Sequence, residues 1–159
     1  MVKYLIMDVD GTLTDGKIYM SPSGEAMKAF NIKDGAGIHD ILIPAGIIPV
    51  IITGRSSGIV LNRCKELGIT NVFQCVNSKI EKLKEITEDL SCVAYIGDDI
   101  NDLSCMLLIK GTGGLVGCPA DAVDKVDRTE IPLLMLFSTV KVSNFFLSKS
   151  TICLGALLT

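Results

Sequence analysis

Short apolar runs alternating with segments of helical periodicity dominate this chain. Residues 4–7 (Tyr4-Leu5-Ile6-Met7) form the first run and stop at acidic residues. Residues 47–52 are rich in β-branched side chains and end at Thr53-Gly54; residues 71–73 and 93–96 complete the set, the last ending at Gly97-Asp98. Runs this short, without polar alternation, suit strands buried on both faces, as in a parallel sheet. Between them, residues 58–67 place Ile59, Val60, Cys64 and Leu67 near helical spacing, with Gly68 where a helix should stop. Residues 80–86 put Ile80, Leu83 and Ile86 on one stripe opposite charges. A further helix is expected over 34–45, interrupted by Gly35 and Gly37. The alternation predicts βαβ units in an open, Rossmann-like α/β sheet with helices on both faces.

One segment breaks the rhythm. Residues 17–20 and 26–30, around Ser21-Pro22-Ser23-Gly24, predict a β-hairpin flap. From residue 131 onward the chain is apolar but interrupted by Lys141, Asn144 and Lys149. Its uncharged stretches fall short of the ~18–20 residues of a membrane span, so no membrane partner is expected. The chain divides into a domain over residues 1–126 and an atypical tail of that domain over 127–159.

Composition narrows the function classes. With 159 residues, 48% of them hydrophobic, and a mean hydropathy of +0.47, the chain can build a real core and is not intrinsically disordered. Its net charge of −3 leaves no basic field to attract nucleic acid. Six cysteines without a C-x-x-C pair, and a single histidine, argue against a zinc site. They predict a reducing cytoplasm, with the cysteines as small apolar residues. The first apolar run is too short for a secretory leader.

The candidate chemistry collects where strands end, which is where ligands bind in open α/β sheets. Asp8 and Asp10 follow the first run, and Asp98, Asp99 and Asp102 follow the fourth. Carboxylates converging on one sheet edge repel unless a cation lies between them, and hard oxygen ligands of this kind suit Mg²⁺. Thr53 offers a hydroxyl and Lys79 a positive charge to a phosphoryl group; taken singly, the first could be a helix cap and the second a solvated charge. Together these residues make a kit for phosphoryl transfer.

Asp8-Val9-Asp10-Gly11-Thr12, Thr53-Gly54-Arg55, Lys79 and Gly97-Asp98-Asp99 with Asp102 resemble the four ordered motifs of the haloacid dehalogenase superfamily. The longer context, including 30–35 (Phe30-Asn31-Ile32-Lys33-Asp34-Gly35) and 119–122 (Pro119-Ala120-Asp121-Ala122), is similar to the family of 3-deoxy-D-manno-octulosonate 8-phosphate phosphatases and their nonulosonate 9-phosphate relatives. The similarity runs from residue 3 to about 126. It implies a Mg²⁺-dependent phosphatase of a sugar acid phosphate, working in lipopolysaccharide or sialic acid biosynthesis. Asp8 would be the nucleophile and metal ligand. Asp10 would be the acid and base, its carbonyl also on the metal, with Asp98 the third ligand. Thr53 and Lys79 would hold phosphoryl oxygens, with Asp99 and Asp102 in support. Asn31, Lys33, Arg55 and Ser56 would contact the sugar acid.

The resemblance also implies a homotetramer. Only 45 residues separate Asp8 from Thr53 and 26 separate Thr53 from Lys79, too few for a cap domain in either interval. A site without a cap is open to water unless a neighbouring subunit covers it. The hairpin, with Ile18, Tyr19, Met20, Met27 and Phe30, is the expected contact. After residue 126 the chain no longer follows the family. Lys110-Gly111-Thr112-Gly113-Gly114 lacks the order of a phosphate loop and is expected to be a turn. Two competing readings are a non-catalytic assembly domain associated with a sugar-acid cytidylyltransferase and a signalling receiver domain.

Overall fold

The computed structural model describes residues 1–127 of the 159, with the side chain of Asp127 outside the description; the expected tail lies outside it too. Strands β1 (Tyr4–Met7), β4 (Ile48–Ile52), β5 (Asn71–Phe73), β6 (Val93–Ile96) and β7 (Leu115–Gly117) form one parallel sheet in the order β5-β4-β1-β6-β7. Strand β1 is central, and the chain leaves it toward β4 on one side and returns to β6 on the other. A short antiparallel hairpin, β2 (Tyr19–Ser21) and β3 (Gly24–Met27), stands apart from the sheet. The hairpin turn is confined to Pro22 and Ser23, so its second strand starts two residues before the expected Ala26.

Alternation of side chains across the strands splits the core into two layers. Leu5, Met7, Ile51 and Ala94 pack on one face with Ile38, Leu42, Val60, Cys64 and Leu67. Ile6, Val50, Ile52, Val93 and Tyr95 pack on the other with Leu83, Cys105, Met106 and Ile109. The first layer is covered by α2 (Gly58–Glu66), the second by α3 (Lys79–Ile86) and α4 (Ile100–Gly111). The fold is the expected α/β class, and the described residues hold no separate cap domain.

The helix expected over 34–45 is divided. Helix α1 (Ile32–Ala36) runs into a wide π-turn over Gly37–Leu42, where the Ile43 N–H donates to the Ile38 carbonyl at 3.1 Å. The Arg63 side chain lies over Gly35, where a Cβ would be 2.3 Å from its terminal nitrogen and would displace it. Helix α4 was not anticipated; Lys110 and Gly111 close it, and the expected turn is confined to Thr112 and Gly113, the latter at φ +87°. Cys64 and Cys105 are buried as expected, but Cys75 is exposed, with φ +56°.

Beside α1, Asp34 is only 3% exposed, and neither carboxylate oxygen has a hydrogen-bond partner among the described residues. Burial pushes its carboxyl up from 3.8 to about 7, with the Arg63 guanidinium opposing. Between these pH values the native chain binds more protons than the unfolded one, so this group removes stability as pH rises. Asp34→Asn should therefore gain in Tm relative to wild type between pH 5 and pH 8. A Tm difference independent of pH would show that the carboxylate is already paired.

Candidate active site

The carboxyl ends of β1, β4 and β6 and the start of α3 converge on one cleft of about 620 Å³. Asp8 follows β1 directly and is buried. Thr53 follows β4, its N–H donating to the Phe73 carbonyl and its hydroxyl accepting from the Arg55 N–H at 3.4 Å. Thr53 is not a helix cap; Ser57 caps α2 and Ser78 caps α3. Lys79 is therefore the first residue of α3, where the helix dipole disfavours a cation. Two carboxylates override that preference: its Nζ lies 2.9 Å from Asp8 Oδ1 and 2.7 Å from Asp102 Oδ1. It is a buried charge, not a solvated one.

Asp102 is completely buried and fully engaged. Its Oδ1 also accepts the Tyr95 hydroxyl at 2.7 Å, and its Oδ2 accepts the Asp99 N–H at 3.4 Å in a capping box at the start of α4. Gly97 makes room for it, since a Cβ there would lie 2.3 Å from Asp102 Cγ. Asp98 turns the other way, where its Oδ1 accepts the Thr12 hydroxyl at 2.8 Å. Asp99 is exposed and caps α4.

Electrostatics follow from this crowding. Burial pushes the Asp98 carboxyl up to about 6; Thr12 opposes, while Asp8, Asp102 and Asp99 add to it. Asp8 is likewise held above the ordinary carboxylate range by burial, with Lys79 opposing and Asp102 adding. Burial works against the Lys79 charge, but Asp8 and Asp102 outweigh it and keep its amine above the usual value.

Ligand oxygens of Asp8, Asp98 and Asp102 lie within 4.8 Å of one another. Among the described residues only one ammonium, that of Lys79, is paired within this group. An all-oxygen set with excess negative charge fits a hard divalent cation. Asp102 carries the most partners of the three: Lys79, Tyr95 and the Asp99 amide.

Asp10 stands at the mouth. Its carboxylate accepts from Lys28 and lies 3.9 Å from Arg55 Nε. Lys28 Nζ is also 3.0 Å from Glu25 Oε1, Arg55 Nη2 is 3.5 Å from the same oxygen, and the Ser57 hydroxyl donates to Glu25 Oε2. The hairpin thus docks on the Asp10 of its own chain. Asn31 and Lys33 are not brought to the cleft: the Asn31 side chain accepts from the Lys33 N–H as the cap of α1, and Lys33 is exposed. Ser56 is exposed beside Arg55. Sequence reasoning missed Lys28, Glu25 and Tyr95. Only the rule that a buried tyrosine hydroxyl needs a partner could have pointed to Tyr95.

The crystal structure of 3-deoxy-D-manno-octulosonate 8-phosphate phosphatase from Yersinia pestis superposes with a TM-score of 0.73 at 40% identity, covering 82% of this chain and 70% of that one. The chain belongs to this family of haloacid dehalogenase-like hydrolases. A second family structure, from Moraxella catarrhalis in complex with a magnesium ion, a phosphate ion and a KDO molecule, gives a TM-score of 0.71 at 39% identity over 79% of this chain and 71% of that one. The family's curated Escherichia coli (strain K12) protein, named as the same phosphatase, is 44% identical over 109 residues, 66% of this chain. The match spans 57% of that relative's length. No family model matches the chain.

Tyr95→Phe removes a hydrogen bond to a buried charged acceptor. It should cost about 1.5–3 kcal/mol in urea denaturation. A loss under about 0.5 kcal/mol would show that the hydroxyl does not hold Asp102.

Proposed function

We propose that this chain is a Mg²⁺-dependent phosphatase of a 2-keto-3-deoxy sugar acid phosphate, with 3-deoxy-D-manno-octulosonate 8-phosphate as the substrate. The observation that carries this reading is the Asp8–Lys79–Asp102 and Asp98 cluster at the ends of β1 and β6. It is supported by a relative whose structure holds magnesium, phosphate and KDO.

Asp8 Oδ attacks phosphorus, forming an aspartyl-phosphate as the ester P–O bond breaks. Asp10 gives its proton to the departing alcohol oxygen and then takes one from the water that hydrolyses the acyl-phosphate. Thr53 and Lys79 hold phosphoryl oxygens, while Asp102 keeps Lys79 in place and Asp99 holds the start of α4. Arg55 and Ser56 meet the sugar acid from the β4–α2 loop. Asn31 and Lys33, which lie outside the cleft of the single chain, would reach a ligand only from the flap side. Mg²⁺ would be held by the carboxylates of Asp8 and Asp98 and the Asp10 carbonyl, where it would offset the repulsion between carboxylate and phosphoryl oxygens.

The wild-type chain with Mg²⁺ should release phosphate from this substrate, and a chelator should stop it. Asp8→Asn should keep its circular dichroism and lose turnover. Activity that survives either change would overturn the reading.

Assembly and location belong to the same proposal. Ile18, Met20 and Met27 are 61%, 64% and 57% exposed on a two-stranded hairpin, which is marginal alone in water. Pairing hairpins between copies would bury them in a homotetramer. Tyr19 is a poorer contact than expected, because its hydroxyl donates to Asp15 at 2.6 Å. Cys64, Cys75, Cys92 and Cys105 carry free thiols, which suits a cytoplasmic setting, and among the described residues no helix is long and apolar enough to cross a membrane. Light scattering at micromolar concentration should report four chains, and Met20→Asp should lower the mass. A wild-type monomer with full activity would refute the assembly.

A further inference from the structure

Lys28 sits one residue beyond β3, on the least buried element of the described chain, yet its own side chain is only 3% exposed. Its Nζ reaches two carboxylates, Asp10 Oδ1 and Glu25 Oε1. Glu25 is in turn fixed by the Ser57 hydroxyl at the start of α2 and lies near Arg55. Asp10 is therefore gripped from the hairpin side at Oδ1. Its Oδ2 faces Arg55 at 3.9 Å, too far for a hydrogen bond.

A latch that only closed the hairpin would not need a buried ammonium. Removing an amine from water is costly, and the hairpin has apolar side chains to spare for the purpose. What the ammonium supplies is a fixed orientation. An acid that protonates a leaving oxygen must present one oxygen within roughly 2.6–3.2 Å of it, and a carboxylate at the mouth of a cleft can otherwise rotate.

We propose that Lys28 is a positioning residue for Asp10: by committing Oδ1, it presents Oδ2 as the oxygen that gives the proton to the leaving alcohol and later takes one from water. This deepens the phosphatase reading and rests on it. The proton balance is that of the two half-reactions already given, and Lys28 itself neither gains nor loses a proton.

The test compares two leaving groups. Lys28→Met and Lys28→Gln are assayed with the sugar acid phosphate, whose alkoxide is a poor leaving group, and with p-nitrophenyl phosphate, whose phenolate needs no proton. Loss of a positioned acid should lower the single-turnover rate of aspartyl-phosphate formation from the first by about 10–100-fold, within the roughly 10²–10⁴-fold that acid catalysis supplies in total. The first-turnover burst of p-nitrophenolate should stay within about threefold of wild type, because that step needs no proton; the later hydrolysis, where Asp10 is the base, is common to both esters and is not the readout. Asp10→Asn should show the same split, and adding Lys28→Met to it should cost nothing more. Lys28→Arg should recover part of the sugar phosphate rate. Equal losses in the first-turnover rates of both esters in the variants that fold, or additive losses with Asp10→Asn, would overturn the proposal and leave Lys28 a structural latch. A wild-type chain inactive on both esters would instead overturn the phosphatase reading, and this inference with it.

Discussion

The bridge from Asp8 through Lys79 to Asp102 is the constraint on which the site depends. Three ionisable groups are buried together at the switch point of the sheet, and Lys79 is the partner that the two carboxylates share. Taking such charges out of water is expensive, and the cost is met only when geometry and further hydrogen bonds are good. Here they are. Asp102 accepts from Lys79, from Tyr95 and from a backbone amide, and it sits in the first turn of α4, where the helix dipole favours an anion. Lys79 sits at the first position of α3, where the dipole opposes it, and needs both carboxylates. Removing Asp8 or Asp102 would leave the Lys79 ammonium with a single carboxylate under the cleft.

The sheet makes this bridge possible because β1 lies between β4 and β6. Chain segments that are distant in sequence then end side by side, and two glycines permit the close approach. Gly97 leaves space for the Asp102 carboxyl. Gly11, at φ +97°, leaves space for Asp98, whose Oδ2 would be 2.0 Å from a Cβ there. Both serve contacts between acidic side chains and backbone that no larger residue would allow.

Much of this was legible in the sequence because it is local. Apolar runs gave β1, β5 and β6 to the residue, since a strand buried on both faces has no other composition. The strand-end positions of Asp8, Thr53 and Asp98 followed from where those runs stop. The remainder depends on partners far along the chain. Lys28 and Glu25 read as ordinary hairpin charges until the hairpin is placed over Asp10. Tyr95 reads as one more apolar residue until Asp102 comes beneath it. The π-turn after α1 arises where Gly35 packs against Arg63 of α2, a contact that periodicity over 34–45 cannot reveal. The capping of α1 by the Asn31 side chain was likewise not read from the sequence.

The two carboxylates proposed as nucleophile and acid are held in different ways, and the difference has a physical logic. Asp8 extends the central strand, and its N–H donates to the Ile96 carbonyl, so its place is set by the sheet itself. Asp10 lies in a loop whose backbone is tied by the Leu13 and Thr14 amides to the Val9 carbonyl, but its side chain is held from outside by the hairpin. The hairpin is joined to that loop by the Thr14–Phe30 bridge and exposes Ile18, Met20 and Met27. A contact that covers those side chains would also restrain Lys28 and, through it, Asp10. The nucleophile is then insulated from whatever packs on the hairpin, while the acid is coupled to it. With no cap among the described residues, that coupling gives the short hairpin a mechanical connection to the proposed chemistry that a separate domain would otherwise provide.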